Sequence, residues 1–137
     1  AEDSAAMPLL PPAADSAARV LVVDDEAEIA DLMRAFLEAA GHEVASAESG
    51  AVALELLAEA RFDAIVSDLR MPDMDGAALW RAVKAGWPAL ARRMLFVTGD
   101  TLSRDADSFL SETGCPSLDK PFSRVDLVER VRELLSA

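Results

Sequence analysis

The 137-residue sequence is short of thiols, phenols and imidazoles. It has one cysteine, Cys115, and no tyrosine, so no disulfide can form within the chain. We interpret this lone thiol, which precedes Pro116, as a packing residue, because a reactive thiol needs an electropositive setting. The single histidine, His42, begins a predicted strand after Gly41, and we expect it to be an ordinary exposed residue.

Long apolar runs and positive charge are also lacking. No segment approaches the run of about 20 apolar residues that crosses a bilayer, and no signal peptide pattern opens the chain. We therefore expect a cytoplasmic protein without direct membrane contact. The chain has 13 Lys and Arg residues against 25 Asp and Glu residues, a net charge of −12 at pH 7. Nucleic acids and anionic lipids bind basic faces, so this balance argues against both as direct ligands.

What is present fits one domain behind a short leader. The length suits a single domain of common size, and the 52% hydrophobic content is enough for one core. Residues 1–17 are rich in proline, alanine and small polar residues without a regular period, which predicts a flexible linker or tail. The domain itself is expected over residues 18–137. Because the chain begins with Ala1 rather than methionine, we expect a piece of a longer protein or a processed form.

Apolar strands and amphipathic helices alternate along the rest of the chain. The first strand is a continuous β-branched run at residues 19–23, typical of a strand buried on both faces. The pattern predicts strands at 19–23, 42–47, 62–67, 93–98 and 115–118, and helices at 26–40, 50–60, 76–85, 101–113 and 123–136. A capping pair, Ser123 and Asp126, marks the start of the last helix. Short strands joined by crossover helices indicate an α/β protein with a doubly wound parallel sheet.

Reactive side chains follow four of these strands. Ligands of such sheets bind at the carboxyl ends of the strands, near the point where the strand order reverses. Asp24 and Asp25 follow the first strand, and Asp68 follows the third. Thr98 is the last residue of the fourth strand, and Lys120 follows the fifth. If the first, third, fourth and fifth strands adjoin, all of these side chains converge at one edge.

The acidic residues among them predict a metal site. Carboxylates held close together raise one another's pKa, and a hard divalent cation relieves the repulsion. Mg²⁺ prefers oxygen ligands in an octahedral arrangement that retains several waters. We therefore predict Mg²⁺ as the cofactor, bound by Asp24, Asp25 and Asp68, with the backbone carbonyl of Arg70 as a further candidate ligand.

One of these carboxylates could also attack phosphorus, as aspartate does in phosphoaspartyl enzymes. Negative charge on the transferring oxygens then needs positive or hydrogen-bonding partners. The Lys120 ammonium is a candidate for the positive partner, and the Thr98 hydroxyl and nearby backbone N–H groups are candidates for the hydrogen-bonding partners. Lys120 precedes Pro121, which restrains its backbone and lowers the cost of a cis bond to about 0.5–1 kcal/mol.

Together, these residues resemble the receiver domain of two-component response regulators. The resemblance covers residues 19–136. It is carried by Val22-Val23-Asp24-Asp25-Glu26, Asp68 with Met71-Pro72 and Asp75-Gly76, Thr98-Gly99, and Lys120-Pro121-Phe122. Each fragment alone is a weak signal, but the four in register are strongly specific. The resemblance implies a flavodoxin-like (βα)5 fold with strand order 2-1-3-4-5.

The resemblance also implies roles for individual residues. Asp68 would be the phosphoacceptor, Asp25 a direct Mg²⁺ ligand and Asp24 a water-mediated one. Lys120 and Thr98 would contact the phosphoryl group. The donor would be the phosphohistidine of a histidine kinase, separate or fused, and a downstream phosphotransfer or effector protein is a further candidate partner. Such a domain modifies itself once and hydrolyses its phosphoaspartate slowly, rather than turning over a substrate.

Some features depart from this pattern or refine it. Many members carry tyrosine or phenylalanine three residues before the lysine, where this chain has Ser117, so phosphorylation is expected to be read out differently or coupled weakly to shape. Arg70, two residues after the acceptor, either attracts the phosphoryl group and modulates hydrolysis or faces solvent. Segment 109–116 resembles receivers fused to the end of hybrid sensor histidine kinases, with the leader as a tether.

Three other functions stay open at this point. A degenerate receiver would act only as a protein-interaction module, and Ser117 leaves room for it. An aspartate-nucleophile phosphohydrolase usually places its acids two residues apart after the first strand and carries a cap domain, whereas Asp24 and Asp25 are adjacent. A flavin-binding electron carrier needs a Ser/Thr/Gly-rich phosphate cradle after the first strand, and the acids there would repel a phosphate.

Overall fold

The computed structural model describes residues 18–71, 74–99 and 104–136. Within them, strands form at Arg19–Val23 (β1), Glu43–Ala47 (β2), Ala64–Asp68 (β3), Met94–Thr98 (β4) and Ser117–Asp119 (β5). The helices are Ala27–Ala39 (α1), Gly50–Glu59 (α2), Gly76–Gly86 (α3), Pro88–Ala91 (α4), Arg104–Thr113 (α5) and Arg124–Ser136 (α6). Of these helices, none is both long and apolar enough to cross a bilayer. The predicted tail, residues 1–17, and the predicted start of the fourth helix, residues 101–103, lie outside the described residues.

The strands run parallel in one sheet of order β2-β1-β3-β4-β5. This confirms the predicted order 2-1-3-4-5 and the doubly wound α/β class. The chain passes from β2 at one edge to β3 on the other side of β1, so the strand order reverses beside β1. Val23 pairs with Ser67, and Asp68 pairs with Val97. The carboxyl ends of β1, β3, β4 and β5 therefore meet at one edge of the sheet.

Successive side chains of the central strands point into two different apolar cores. Leu21 and Val23 face a core shared with α2 and α3, whereas Val20 and Val22 face a core shared with α1 and α6. All four are fully buried. Burial on both faces explains why β1 and β4 are continuous apolar runs in the sequence rather than alternating ones.

Side-chain caps fix where two helices begin. Asp75 Oδ1 accepts the Ala78 N–H at 2.8 Å at the start of α3. Ser123 Oγ accepts the Asp126 N–H at 3.0 Å at the start of α6, which confirms the predicted capping residue. Such bonds satisfy N–H groups that have no partner inside the helix. Both helices therefore begin at defined residues on the loops that leave the carboxyl edge.

The structure corrects one expectation and adds one helix. His42, which we expected to be exposed, is buried, and its ring Nδ1 accepts the Ala18 backbone N–H at 3.1 Å. Burial lowers the pKa of this imidazole.

Helix α4 was not predicted, since its four residues after Trp87 are too short to show a helical period. Cys115 packs against the core that includes α2 and α3, in agreement with its interpretation as a packing residue.

Candidate phosphoacceptor and metal site

Two of the predicted acids lie at the carboxyl ends of neighbouring strands. Asp24 directly follows β1 and Asp68 ends β3, and they are only 1% and 5% exposed. Asp25, the next residue in the chain, is exposed. One carboxylate oxygen of each of the three lies within 4.8 Å of the others. The structure therefore gathers the three predicted acids in one cluster, which we call the acidic cluster.

Backbone N–H groups orient the two buried carboxylates. The Glu26 N–H donates to Asp24 Oδ1 at 2.8 Å, and the Arg70 N–H donates to Asp68 Oδ1 at 3.3 Å. In both acids the other oxygen, Oδ2, is the one that lies near Lys120. The Arg70 side chain is exposed. Its carbonyl as a metal ligand, and its influence on a phosphoryl group, stay predictions.

Lys120 extends into the acidic cluster from the loop after β5. Its Nζ lies 3.4 Å from Asp24 Oδ2, 3.6 Å from Asp68 Oδ2 and 3.7 Å from Glu26 Oε1. The lysine side chain is 18% exposed, so its pairs with the two buried acids are less screened than ordinary surface ion pairs. The Lys120–Pro121 peptide bond is cis.

Thr98 is the last residue of β4 and is buried, with 2% of its surface exposed. Asp68 pairs with Val97 in the neighbouring strand, so Thr98 lies one position further toward the carboxyl edge. The Thr98 carbonyl accepts the Lys120 backbone N–H at 2.7 Å, which ties the lysine loop to β4. Both residues thus lie where the sequence predicts, while their roles as phosphoryl contacts stay predictions.

Burial and crowding shift the pKa values of the charged groups. Burial raises the pKa of Asp24, against the opposing effects of the Glu26 N–H and the Lys120 charge. Burial also raises the pKa of Asp68, and repulsion from Asp24 adds to it. Burial alone would lower the pKa of Lys120, but the nearby carboxylates, Asp68 foremost, outweigh it and raise that pKa. Lys120 is therefore a protonated ammonium at neutral pH.

The acidic cluster suits a hard divalent cation. Lys120 lies within 4 Å of two of the three carboxylates, so negative charge in the cluster is in excess once the acids ionise. Carboxylate oxygens are ligands that Mg²⁺ prefers, and Mg²⁺ fills its remaining positions with water. The exposure of Asp25 leaves one side of the cluster open to solvent. The donor set of Asp24, Asp25 and Asp68 therefore fits Mg²⁺.

Glu26 belongs to the site, although the sequence analysis assigned it no role. Its Oε1 lies 3.7 Å from Lys120 Nζ, and its side chain is 65% exposed. An ion pair this exposed contributes little to stability. The signal that could have found it was its place in the acidic run that directly follows β1.

A family model described as a response regulator receiver domain matches residues 20–132. The chain belongs to this family. Transcriptional regulatory protein PrrA of Mycobacterium tuberculosis is 38% identical to this receiver domain over 118 residues, which cover 85% of this chain and 49% of that protein. The receiver domain spans about half the length of the curated relatives it matches.

Solved receiver structures share the fold. Chemotaxis protein CheY4 of Vibrio cholerae is 31% identical, with a TM-score of 0.75 over 86% of this chain and 98% of that one. The signal receiver domain of a histidine kinase from Syntrophus aciditrophicus is 31% identical, with a TM-score of 0.76 over 87% of this chain and 90% of that one. The predicted family and fold are confirmed, and the fusion to a hybrid kinase stays a prediction.

Family membership favours a receiver over the phosphohydrolase and the flavin carrier. Ser117 marks where this receiver domain departs from the expected aromatic residue. It is half-buried at the start of β5, and its carbonyl accepts a hydrogen bond from Arg130 Nη1 at 2.8 Å. A contact through the backbone thus anchors this position to α6, and the side chain at this position is not aromatic.

Proposed function

We propose that this receiver domain accepts a phosphoryl group on Asp68, in a Mg²⁺-dependent transfer from the phosphohistidine of a separate or fused histidine kinase. The observation that carries the proposal is the acidic cluster with Lys120 Nζ at 3.4 Å and 3.6 Å from its two buried acids. A buried carboxylate surrounded by a cation site and an ammonium is suited to attack phosphorus.

The transfer itself exchanges one bond for another. An Asp68 carboxylate oxygen attacks phosphorus, and the phosphorus–nitrogen bond of the donor breaks. Its electron pair stays on the imidazole nitrogen, which takes up a proton, and Asp68 becomes an acyl phosphate. The Arg70 N–H at Oδ1 helps to orient the carboxylate, which leaves Oδ2, the oxygen beside Lys120, as the candidate attacking oxygen.

Positive charge and hydrogen bonds stabilise the transferring oxygens. Asp24, Asp25 and Asp68 would hold Mg²⁺, with the Arg70 carbonyl as a further ligand, and bound Mg²⁺ supplies positive charge at the phosphoryl oxygens. Lys120, kept protonated by its acidic neighbours, supplies a second positive charge. The Thr98 hydroxyl at the end of β4 donates a hydrogen bond to a phosphoryl oxygen.

The domain is modified once rather than acting as a turnover enzyme, because the acceptor is its own side chain. Slow hydrolysis of the acyl phosphate returns Asp68 to its starting state. A downstream phosphotransfer or effector protein in the cytoplasm reads the modified form or accepts its phosphoryl group. The net charge of −12 is consistent with a protein partner rather than nucleic acid.

The test is intact-mass measurement after incubation with Mg²⁺ and a small-molecule acyl phosphate. We expect one added phosphoryl group in the parent and none in Asp68→Asn. A matched control, Asp31→Asn, changes an exposed acid on α1 and should label as the parent does. Chelation of Mg²⁺ should abolish labelling of the parent. Several labelled sites, or labelling that survives Asp68→Asn, would contradict the assignment.

A degenerate receiver that only binds partners is the second candidate, and Ser117 is the observation that favours it. The intact acidic cluster argues the other way, because an interaction module has no need of three crowded carboxylates beside a lysine. A folded parent that takes up no phosphoryl group, but binds a kinase equally with and without Mg²⁺, would decide for this second function.

A further inference from the structure

A second concave surface lies at the end of the sheet opposite the acidic cluster. It is a groove of about 880 Å³ between the end of α2, the turn before β3, and α4. Its apolar lining includes Leu57, Phe62, Trp87, Pro88 and Leu90. We call it the basal groove, because its residues precede β3 and β4 whereas the acidic cluster follows β1 and β3.

The rim of the basal groove carries charged side chains of both signs. Arg61, Arg92 and Arg93 line it together with two acids, Glu59 and Asp63. The aromatic and aliphatic side chains between them form the apolar part of the lining. An occupant of this groove is therefore expected to present apolar side chains to that lining.

The leader joins the domain at the rim of this groove. The Asp63 N–H donates to the Arg19 carbonyl at 2.7 Å, and the Arg19 N–H donates to Asp63 Oδ2 at 2.8 Å. The Arg19 guanidinium carbon lies 5.4 Å from the centre of the Phe62 ring. Residues 1–17 are therefore covalently attached beside the basal groove.

Residues 1–17 contain a segment that suits an apolar groove. Their large apolar residues are gathered in one stretch, Met7-Pro8-Leu9-Leu10-Pro11-Pro12. We propose that residues 7–12 of the leader bind in the basal groove of the same chain.

Two physical effects favour this intramolecular contact. Proline-rich segments pay little conformational entropy on binding, and aromatic-lined grooves are the surfaces that such segments dock on. The eight residue steps from Leu10 to Ala18 span roughly 26 Å when extended, at about 3.3 Å each, which is ample reach for a groove that starts beside Arg19. A short tether also gives an effective concentration on the order of millimolar, so even weak contacts are populated.

Tryptophan fluorescence tests the contact in the full chain. The protein has two tryptophans, and Trp80→Phe leaves Trp87 in the groove as the reporter. In that background, Leu9→Ser with Leu10→Ser should shift Trp87 emission to the red and raise its acrylamide quenching constant about two-fold. Ala5→Ser with Ala6→Ser is the matched leader control and should change neither. Identical emission and quenching in all three chains would overturn the proposal.

Disulfide capture separates binding within one chain from binding between two. In a Cys115→Ser background, Leu10→Cys should form an intramolecular disulfide with Ala89→Cys, on the exposed surface of α4, at least ten times faster than with Asp31→Cys on α1. Equal rates for both pairs, or crosslinking mainly into dimers with a rate that rises with protein concentration, would contradict binding within the chain. Neither readout depends on whether Asp68 is phosphorylated.

Discussion

The two ends of the sheet use polar residues in different ways. At the carboxyl end, Asp24, Asp68 and Lys120 are largely shielded from water, so they interact mainly with one another. At the amino end, Arg92 is exposed to solvent at the rim of a groove whose lining is mostly apolar. Charges act strongly on one another where water is excluded and weakly where it is not. This difference assigns the proposed covalent chemistry to the carboxyl end and the proposed leader contact to the amino end.

The largest expected difference between the two ends appears when one cation is removed from each. Removal of the cation at the carboxyl end should be damaging, and removal of the one at the amino end should not. Lys120→Met takes away the ammonium beside the acceptor, and we expect the rate of Asp68 phosphorylation to fall about 10²–10³-fold, as when one preorganised donor is lost from an active site. Arg92→Met removes a cation at the amino end and should label at the parental rate. The measurement is the time course of intact mass with Mg²⁺ and an acyl phosphate, with circular dichroism to verify folding. Equal phosphorylation rates for the two variants would contradict the expected difference between the two ends of the sheet.

Helix α3 joins the two ends and allows a matched test of packing. A Cβ added at Gly76, near the acidic cluster, would lie 2.9 Å from Phe96 Cε1 and 3.0 Å from the backbone Cα of Leu69. Gly76→Ala should therefore lower the free energy of unfolding by about 1–3 kcal/mol through overpacking. A Cβ at Gly86, at the other end of the helix, meets nothing within 4 Å.

Gly86→Ala should accordingly leave stability unchanged or raise it by up to about 1 kcal/mol, because alanine loses less conformational freedom on folding. Urea denaturation of both variants gives the measurement. If Gly86→Ala proved as damaging as Gly76→Ala, the tight packing would not be particular to the carboxyl end.

The smallest expected effect concerns pH at the amino end. Because burial lowers the pKa of His42 in the folded state, the unfolded chain binds a proton at higher pH than the folded chain does. The contribution of His42 to stability is therefore complete above its unfolded pKa of about 6.5 and declines as pH falls toward the folded value. His42→Asn keeps an acceptor for the Ala18 N–H and removes this titration.

The measurement is the free energy of unfolding in urea at pH 7.5 and at pH 5.5 without metal. We expect the parent to lose more stability between these two values than His42→Asn does. The carboxylates near Lys120 are unchanged in the variant and act as the internal reference. An equal loss in both proteins would show that His42 is not the group that titrates.

Much of the fold follows from local sequence patterns. The runs at β1 and β4 were predicted correctly because strands buried on both faces must be continuously apolar. The predicted convergence of Asp24, Asp25 and Asp68 is borne out because the strands that carry them adjoin. In contrast, β5 was predicted at residues 115–118 and lies at Ser117–Asp119, since a three-residue edge strand has too little pattern to fix its bounds.

Other features lie beyond the reach of local pattern. The burial of His42 depends on Ala18, which is 24 residues away in the chain and meets it only after β1 and β2 pair. Helix α4 is fixed by packing around Leu90 and Ala91 rather than by its own propensity. The basal groove likewise forms only when α2 and α4 come together around the turn before β3.

By itself, the sequence determined the strand pattern, the parallel sheet and the acids at the strand ends, because periodicity and chain connectivity are local properties with few consistent arrangements. The tertiary structure decided that Lys120 Nζ lies 3.4 Å from an acid 96 residues earlier in the chain, and that Glu26 joins them. Such distances depend on strand register and side-chain rotamers, which are set only when the two cores pack on either side of the sheet.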